Sequence, residues 1–162
     1  MKFSNHRISL IVAMAVFALL TACQPTPEER MSRAEAYFAE ADYRTAAIEL
    51  RNVLQAEPDN GQARLLLARS SYQLGDFATA VNQFERALGL GHTTVDVWLG
   101  FGRSLLSQGR AQDAFTRVVP NLDASSENEA VQNFLGDVSF SLANYEDAGS
   151  YYSRAVGINP SS

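Results

Sequence analysis

From Pro27 to the end of the chain, apolar and small residues return to the same columns every 34 positions. Blocks of that length begin at Pro27, Gly61, Val95 and Glu129, and the fourth closes on Ser162. The seventeenth column reads Tyr43, Phe77, Ala111, Tyr145, and the twentieth reads Ala46, Ala80, Ala114, Ala148. The twenty-fourth holds Leu50, Phe84, Val118 and Tyr152. Val53-Leu54, Ala87-Leu88 and Ala155-Val156 occupy the next apolar pair of columns, and there the third block departs. "EPDN" (57–60) and "NPSS" (159–162) put proline at one column and mark helix ends, while "LGD", "QGR" and "LAN" mark turns within blocks. Each block therefore predicts a helical hairpin, in which the small residue of the twentieth column lets the two helices approach. A bulky residue there would overpack the hairpin at a cost of about 1–3 kcal/mol. An irregular bundle would not hold this register through four blocks. The expected fold is all-α, a solenoid of about four such hairpins. One residue breaks the pattern: Pro120 falls inside the predicted second helix of the third block, where it removes a hydrogen bond and clashes with the preceding turn. The segment 118–130 is expected to shorten or kink that helix and to loosen its join to the fourth block, as repeat decay rather than as a built hinge.

The columns resemble the tetratricopeptide (TPR) repeat. "WLGFGRSL" (98–105) resembles its first-helix signature, with Phe101 and Leu105 substituting, and "YQLGDFATAVNQFERALGL" (72–90) is similar to its second half. The chain divides accordingly into repeats at 30–60, with a degenerate start, 61–94, 95–128, with a degenerate second helix, and 129–162.

Ahead of the repeats, Lys2 and Arg7 are followed by an uncharged, mostly apolar run from Ile8 to Ala22. A bilayer span needs about 20 apolar residues, so this shorter run reads as a secretory signal core rather than an uncleaved anchor. Leu20 and Ala22 fit the usual A-x-A cleavage site poorly. Leu20-Thr21-Ala22-Cys23 instead resembles a bacterial lipobox, which implies a signal peptide over 1–22 and a diacylglycerol thioether on Cys23. A lone unpaired cysteine in an exported chain otherwise wants an explanation. Several acyl chains, at about 0.8 kcal/mol per buried CH₂, hold a protein stably where one does not. By resemblance to sorting in bacteria with two membranes, Gln24 after the cysteine favours the periplasmic face of the outer membrane over the inner membrane. A linker through residue 29, carrying Pro25 and Pro27, is expected to be extended and to keep the folded part near the membrane.

Removing residues 1–22 takes away Lys2 and Arg7 and no acid, so 11 basic residues remain against 18 acidic, a formal charge of −7. All the remaining basic residues are arginine. That balance argues against nucleic acid and against an electrostatic grip on anionic headgroups. Attachment to a membrane must then come from the lipid.

The stretch from Asp42 to Gly91, followed by a degenerate block with "RVVPNLD", resembles the start of the TPR-repeat lipoproteins of the PEP-CTERM/exosortase system, the PrsT type. The resemblance implies a place beside exopolysaccharide production and carboxy-terminal sorting of exported proteins. Members of that family are several times longer, so the chain is expected to be an amino-terminal piece or a short relative. Tyr151, Tyr152, Val156 and Ile158 would then sit in a last helix without a cap, and self-association or fraying at that end is expected.

Catalysis finds little footing. His6 leaves with the signal, and His92, the histidine that remains, occupies the proline column as a turn residue, so a Cys/His arrangement cannot be built and a Ser/His/Asp one would rest on His92 alone. A metal site would need mostly carboxylates, no glycine loop of phosphate-binding spacing occurs, and no cofactor is expected beyond the covalent lipid. Glu28-Glu29 and Glu146-Asp147 fall near predicted helix starts, where negative charge suits the helix dipole.

Binding is the better expectation. By resemblance to TPR geometry, first helices line a concave groove for a protein or peptide, which nominates Arg69, Tyr72, Gln73, Asp96, Arg103, Leu106, Asn133, Asp137 and Phe140. The ninth column reads Glu35, Arg69, Arg103, Asp137. The two arginines suit a peptide carboxylate or an acidic side chain, or else pair with their own neighbours. Clamps for chaperone carboxyl termini use lysine and asparagine, and the absence of lysine after residue 22 argues against that partner. Two functions follow: a membrane-anchored scaffold in cell-envelope export or exopolysaccharide assembly, and a pilotin-like carrier escorting an outer-membrane secretin or pore subunit. Direct recognition of polysaccharide ranks below both, because the groove is only modestly aromatic.

Overall fold

The first residue of each block is the first residue of a helix. The computed structural model describes residues 25–160; the signal segment 1–22 and Cys23 lie outside the described residues. Among the described residues there are eight α-helices and one 3₁₀ turn: α1 (Pro27–Ala39), α2 (Tyr43–Ala56), α3 (Gly61–Gln73), α4 (Phe77–Gly89), α5 (Val95–Leu106), α6 (Ala111–Arg117), the 3₁₀ turn Val119–Asn121, α7 (Glu129–Ser141) and α8 (Tyr145–Ile158). The second helices start at the seventeenth column, at Tyr43, Phe77, Ala111 and Tyr145. None of these helices is long and apolar enough to cross a membrane.

Capping chemistry sets most of the starts. Asp42, Asn60 and Asp76 each accept a hydrogen bond from a backbone N–H three residues on, satisfying a donor that has no partner within the helix. Asn128 accepts from the N–H groups of Ala130 and Val131. Thr26 and Glu29 form a reciprocal capping box, and Pro27 at the first helical position loses nothing by lacking an N–H. The extended linker expected through residue 29 is therefore corrected: residues 27–29 are the first turn of α1. The first repeat accordingly keeps a full first helix where a degenerate start was expected.

Each hairpin turns at the fifteenth column, through Ala41, Gly75, Gly109 and Ala143, all with positive φ. In every case the next residue donates its N–H back to the carbonyl five residues earlier, as Asp42 does to Tyr37 and Asn144 to Ser139. One left-handed residue thus reverses the chain and satisfies the helix's last carbonyls.

The core follows the columns. Ala46, Ala80 and Ala114 are fully buried and Ala148 nearly so, where second helices cross first helices. Small residues also fill the eighth column, as Ala34, Ala68, Gly102 and Gly136. The two glycines of that column, and Gly100 in the sixth, receive rings. Phe84 lies over Gly100, Phe134 over Gly102, and Tyr152 over Gly136, so closely that an added Cβ would collide. The imidazole of His92 lies over Gly61 in the same way, which makes this turn histidine a packing residue. Successive hairpins are joined by the Phe84–Gly100 and Phe134–Gly102 contacts and by the Arg117–Glu85 ion pair between the second and third, while the Tyr152–Gly136 contact and an Arg30–Glu49 ion pair close the fourth and first hairpins internally.

The third block ends early for the expected reason. Helix α6 stops at Arg117, and Pro120 sits in the 3₁₀ turn that follows. The join to α7 is nonetheless held. Gln132 on α7 is buried, and its Nε2 donates to the carbonyls of Ala124 and Ser126, replacing the support that the lost helical turns would have given. At the far end Tyr151 and Tyr152 are half-buried, while Val156 and Ile158 are exposed.

Candidate binding groove

The first helices α3, α5 and α7 repeat one residue register, so columns two, five, nine, twelve and thirteen share a face of each helix. That face opens into two adjoining clefts. One, of about 470 Å³, is lined by Tyr72, Arg103, Leu106, Ser107, Asp137, Phe140, Ser141 and Tyr152. The other, of about 430 Å³, holds Phe38, Arg69, Tyr72, Gln73, Phe84, Asp96, Leu99, Gly100, Arg103 and Ala130. Tyr72 and Arg103 belong to both, which makes the clefts one continuous groove.

Of the nine residues nominated from sequence, eight stand in this groove. Asn133 does not line it; its amide donates to Glu129 at 3.3 Å, one turn back on α7. Ser107, Ser141, Leu99 and Ala130 share the nominated columns and line the groove as well. Phe38 shares the twelfth column but belongs to the first block, outside the blocks nominated. Phe84 and Tyr152 come from second helices and were not legible as groove residues. Tyr152 reaches the groove only because Gly136 has no side chain to keep its ring away.

Aromatic brackets stiffen the groove wall. The twelfth and seventeenth columns pair edge to face in three hairpins: Phe38 with Tyr43 at 5.2 Å, Tyr72 with Phe77 at 5.5 Å, and Phe140 with Tyr145 at 5.5 Å between ring centres. In the third hairpin Leu106 and Ala111 occupy those columns, leaving the middle of the groove aliphatic. Phe140 is 58% exposed, an apolar ring presented to the groove rather than to the core.

The charges divide into engaged and free. Asp137 accepts a hydrogen bond from the Tyr152 hydroxyl at 2.9 Å. Burial, then that bond, then the charge of Asp137 push the Tyr152 phenol up to about 12. Among the described residues the ion pairs are Arg30–Glu49, Arg110–Asp113 and Arg117–Glu85, and none of them involves Arg69 or Arg103. Both guanidinium groups are exposed on the groove face and have no hydrogen-bond partner among the described residues. The self-pairing considered from sequence is absent there. No cluster of three or more histidine, cysteine or carboxylate side chains suited to a metal ion occurs among the described residues.

Comparison with known proteins agrees with this architecture. Residues 39–120 match the family model described as anaphase-promoting complex, cyclosome, subunit 3, and residues 99–162 match the tetratricopeptide repeat model. No curated protein matches the chain. Among solved structures, MamA MSR-1 is similar at 16% identity with a TM-score of 0.75, over 96% of this chain and 91% of that one. MamA from Desulfovibrio magneticus RS-1 is similar at 14% identity with a TM-score of 0.73, over 84% and 77% of the two chains. At these identities the likeness is one of fold.

Proposed function

The chain belongs to the tetratricopeptide-repeat family, in the branch that the anaphase-promoting complex subunit 3 model describes, and on that premise we propose that it is a non-enzymatic, membrane-anchored scaffold. Its groove holds a segment of a protein partner, and lipid on Cys23 holds the repeats at the periplasmic face of the outer membrane. The setting is cell-envelope export or exopolysaccharide assembly of the PEP-CTERM/exosortase type.

The observation that carries the reading is the groove itself. Repeats of this family generally serve protein–protein interaction, and here three rigid helices present apolar rings and unpaired polar groups in one register. A face built only for packing would have its cations paired or its rings covered. The anchor rests on the Leu20-Thr21-Ala22-Cys23 stretch and on the acidic surface, which gives the membrane no electrostatic alternative.

A photo-crosslinking residue at Gln73, inside the groove, and another at Ile48, 52% exposed on α2, test the proposal in intact cells. Discrete adducts are expected from Gln73 alone, in the outer-membrane fraction. Cys23→Ala should move the chain to the soluble periplasmic fraction and remove the adducts, and the amino-terminal peptide of the native protein should carry acyl mass. Several persistent adducts fit the scaffold. A single transient adduct, with the partner misplaced when the protein is deleted, fits the pilotin-like carrier instead. Adducts from Ile48 but not from Gln73 would overturn the groove reading, and an unmodified Cys23 would overturn the anchor.

A further inference from the structure

We propose that the cleft beside the loop after Pro120 is a second binding site, apart from the groove, for a free α-amino acid with an apolar side chain. The cleft has a cause in the sequence. The second helices α2, α4 and α8 run for 14, 13 and 14 residues, whereas α6 ends after 7, ahead of a proline that cannot continue it. A 3₁₀ turn and a loop take the place of the missing turns, and a cleft of about 440 Å³ lies between that loop, α7 and α8. Its lining is Ser125, Ser126 and Glu127 from the loop, Gln132 from α7, and Arg154 and Ile158 one turn apart on α8. None of these six residues lines the groove.

Three unsatisfied groups meet there. Gln132 is 1% exposed, and its amide cannot flip, because Nε2 donates to the carbonyls of Ala124 and Ser126 at 3.0 and 2.8 Å. Its Oε1 is left as a buried acceptor with no hydrogen-bond partner among the described residues, a state that native interiors rarely tolerate. Arg154 is held from two sides, by a long bond of 3.4 Å from Nη1 to the Ala124 carbonyl and by the Tyr151 ring, 5.6 Å from the guanidinium. Its remaining N–H groups stay available, and it forms no ion pair among the described residues. Glu127 is exposed and likewise unpaired there. A cation and an anion thus line one small cleft without neutralising each other.

The complement of that lining carries both charges on one small molecule. An α-carboxylate takes the planar fork of Arg154. An α-ammonium, with three donors, serves the Glu127 carboxylate and supplies the hydrogen that Gln132 Oε1 lacks. An apolar side chain covers Ile158, which is 38% exposed. Other ligands leave something unmatched. A phosphate or a lone carboxylate meets the like charge of Glu127 and brings the Gln132 oxygen no donor, and an internal peptide segment brings neither charge. The volume agrees, since it stands near the lower end of the range of about 300–1,000 Å³ for small-molecule sites.

Isothermal titration calorimetry on the full chain in detergent, with L-leucine, leucinamide and N-acetyl-leucine as probes, tests this. L-Leucine should bind at a single site, and removing either of its charges should weaken binding about tenfold or more, as expected for a lost charge-assisted bond. Arg154→Gln should weaken L-leucine by the same factor and leave leucinamide unchanged, while Glu127→Gln should weaken it and leave N-acetyl-leucine unchanged. That crossed pattern separates contact with the ligand from a loosened loop, which would weaken all three probes alike and overturn the assignment. Both side chains are exposed, and circular dichroism checks that the variants fold. Arg103→Gln, in the groove, should leave L-leucine binding unchanged. Leucinamide or N-acetyl-leucine binding as tightly as L-leucine would give the cleft to a peptide's amino or carboxy end and overturn the free amino acid. No binding of L-leucine at millimolar concentration, or binding lost in Arg103→Gln and kept in Arg154→Gln, would overturn the second site and leave the groove reading standing.

Discussion

The eighth column offers one substitution in two settings, Gly102→Ala on α5 and Gly136→Ala on α7. Alanine is favoured over glycine in a helix interior by about 1 kcal/mol, and overpacking a filled site costs about 1–3 kcal/mol. Which wins depends on whether the neighbouring ring can leave. A Cβ on Gly102 collides with the ring of Phe134 and stands 3.2 Å from Cγ1 of Val118. Both neighbours are 0% exposed, so neither has anywhere to go. The overpacking cost sits at its upper end, and the net loss is about 2 kcal/mol. A Cβ on Gly136 meets Cε1 of Tyr152 at 2.5 Å, but Tyr152 is half-buried on the last helix and can swing into water. What is lost then is its bond to Asp137, worth about 0.5–1.5 kcal/mol, largely offset by the helix propensity gained. Urea unfolding at neutral pH should therefore separate the variants, with Gly136→Ala within about 1 kcal/mol of the parent. Absorbance titration of the phenols adds a second readout. The Tyr152 phenol, pushed up to about 12, should fall toward its ordinary 10 in Gly136→Ala and stay high in Gly102→Ala. Because the folded value is raised, its contribution to stability is complete below pH 10 and is lost as the pH climbs through about 12. Equal losses in the two variants, or a Tyr152 that still titrates near 12 in Gly136→Ala, would refute the reasoning.

Other expectations follow from the turns, caps and loop. Ala143→Gly should raise the urea midpoint. A left-handed alanine costs about 1–2 kcal/mol and glycine's extra unfolded-state entropy about 0.5–1 kcal/mol, so the net gain is about 0.5–1 kcal/mol. Hydrogen bonds from Thr45, through its hydroxyl and then its backbone N–H, hold the Asp42 carboxyl below its ordinary 3.8. Its contribution is present above that value and is lost as the pH falls through the lowered folded value. Asp42→Asn, which keeps a cap, should flatten the acid limb of a stability profile below the carboxyl's ordinary 3.8. Gln132→Ala should cost about 1–3 kcal/mol by releasing two carbonyl acceptors. Hydrogen exchange should then show residues 122–128 losing protection while α1 to α4 keep theirs.

Much of this architecture was written locally. The 34-residue columns specify helices, and the helices begin where the columns begin, because capping side chains and turn residues act within three or four positions of where they stand. The arginine pair was legible for the same reason: equal registers on equivalent helices must share a face. The positive φ at Ala41 and Ala143 was not, because alanine carries no local preference for it and adopts it only where the packed hairpin demands the reversal. Nor did sequence show that Gln132 would hold the segment after Pro120, since its acceptors, Ala124 and Ser126, become neighbours only when α7 docks. The free state of Arg69 and Arg103, the exclusion of Asn133 and the arrival of Tyr152 in the groove were likewise decided by tertiary structure. Each depends on distances between side chains on different helices or turns, and a repeat pattern fixes which face a residue shares but not which neighbour reaches it first.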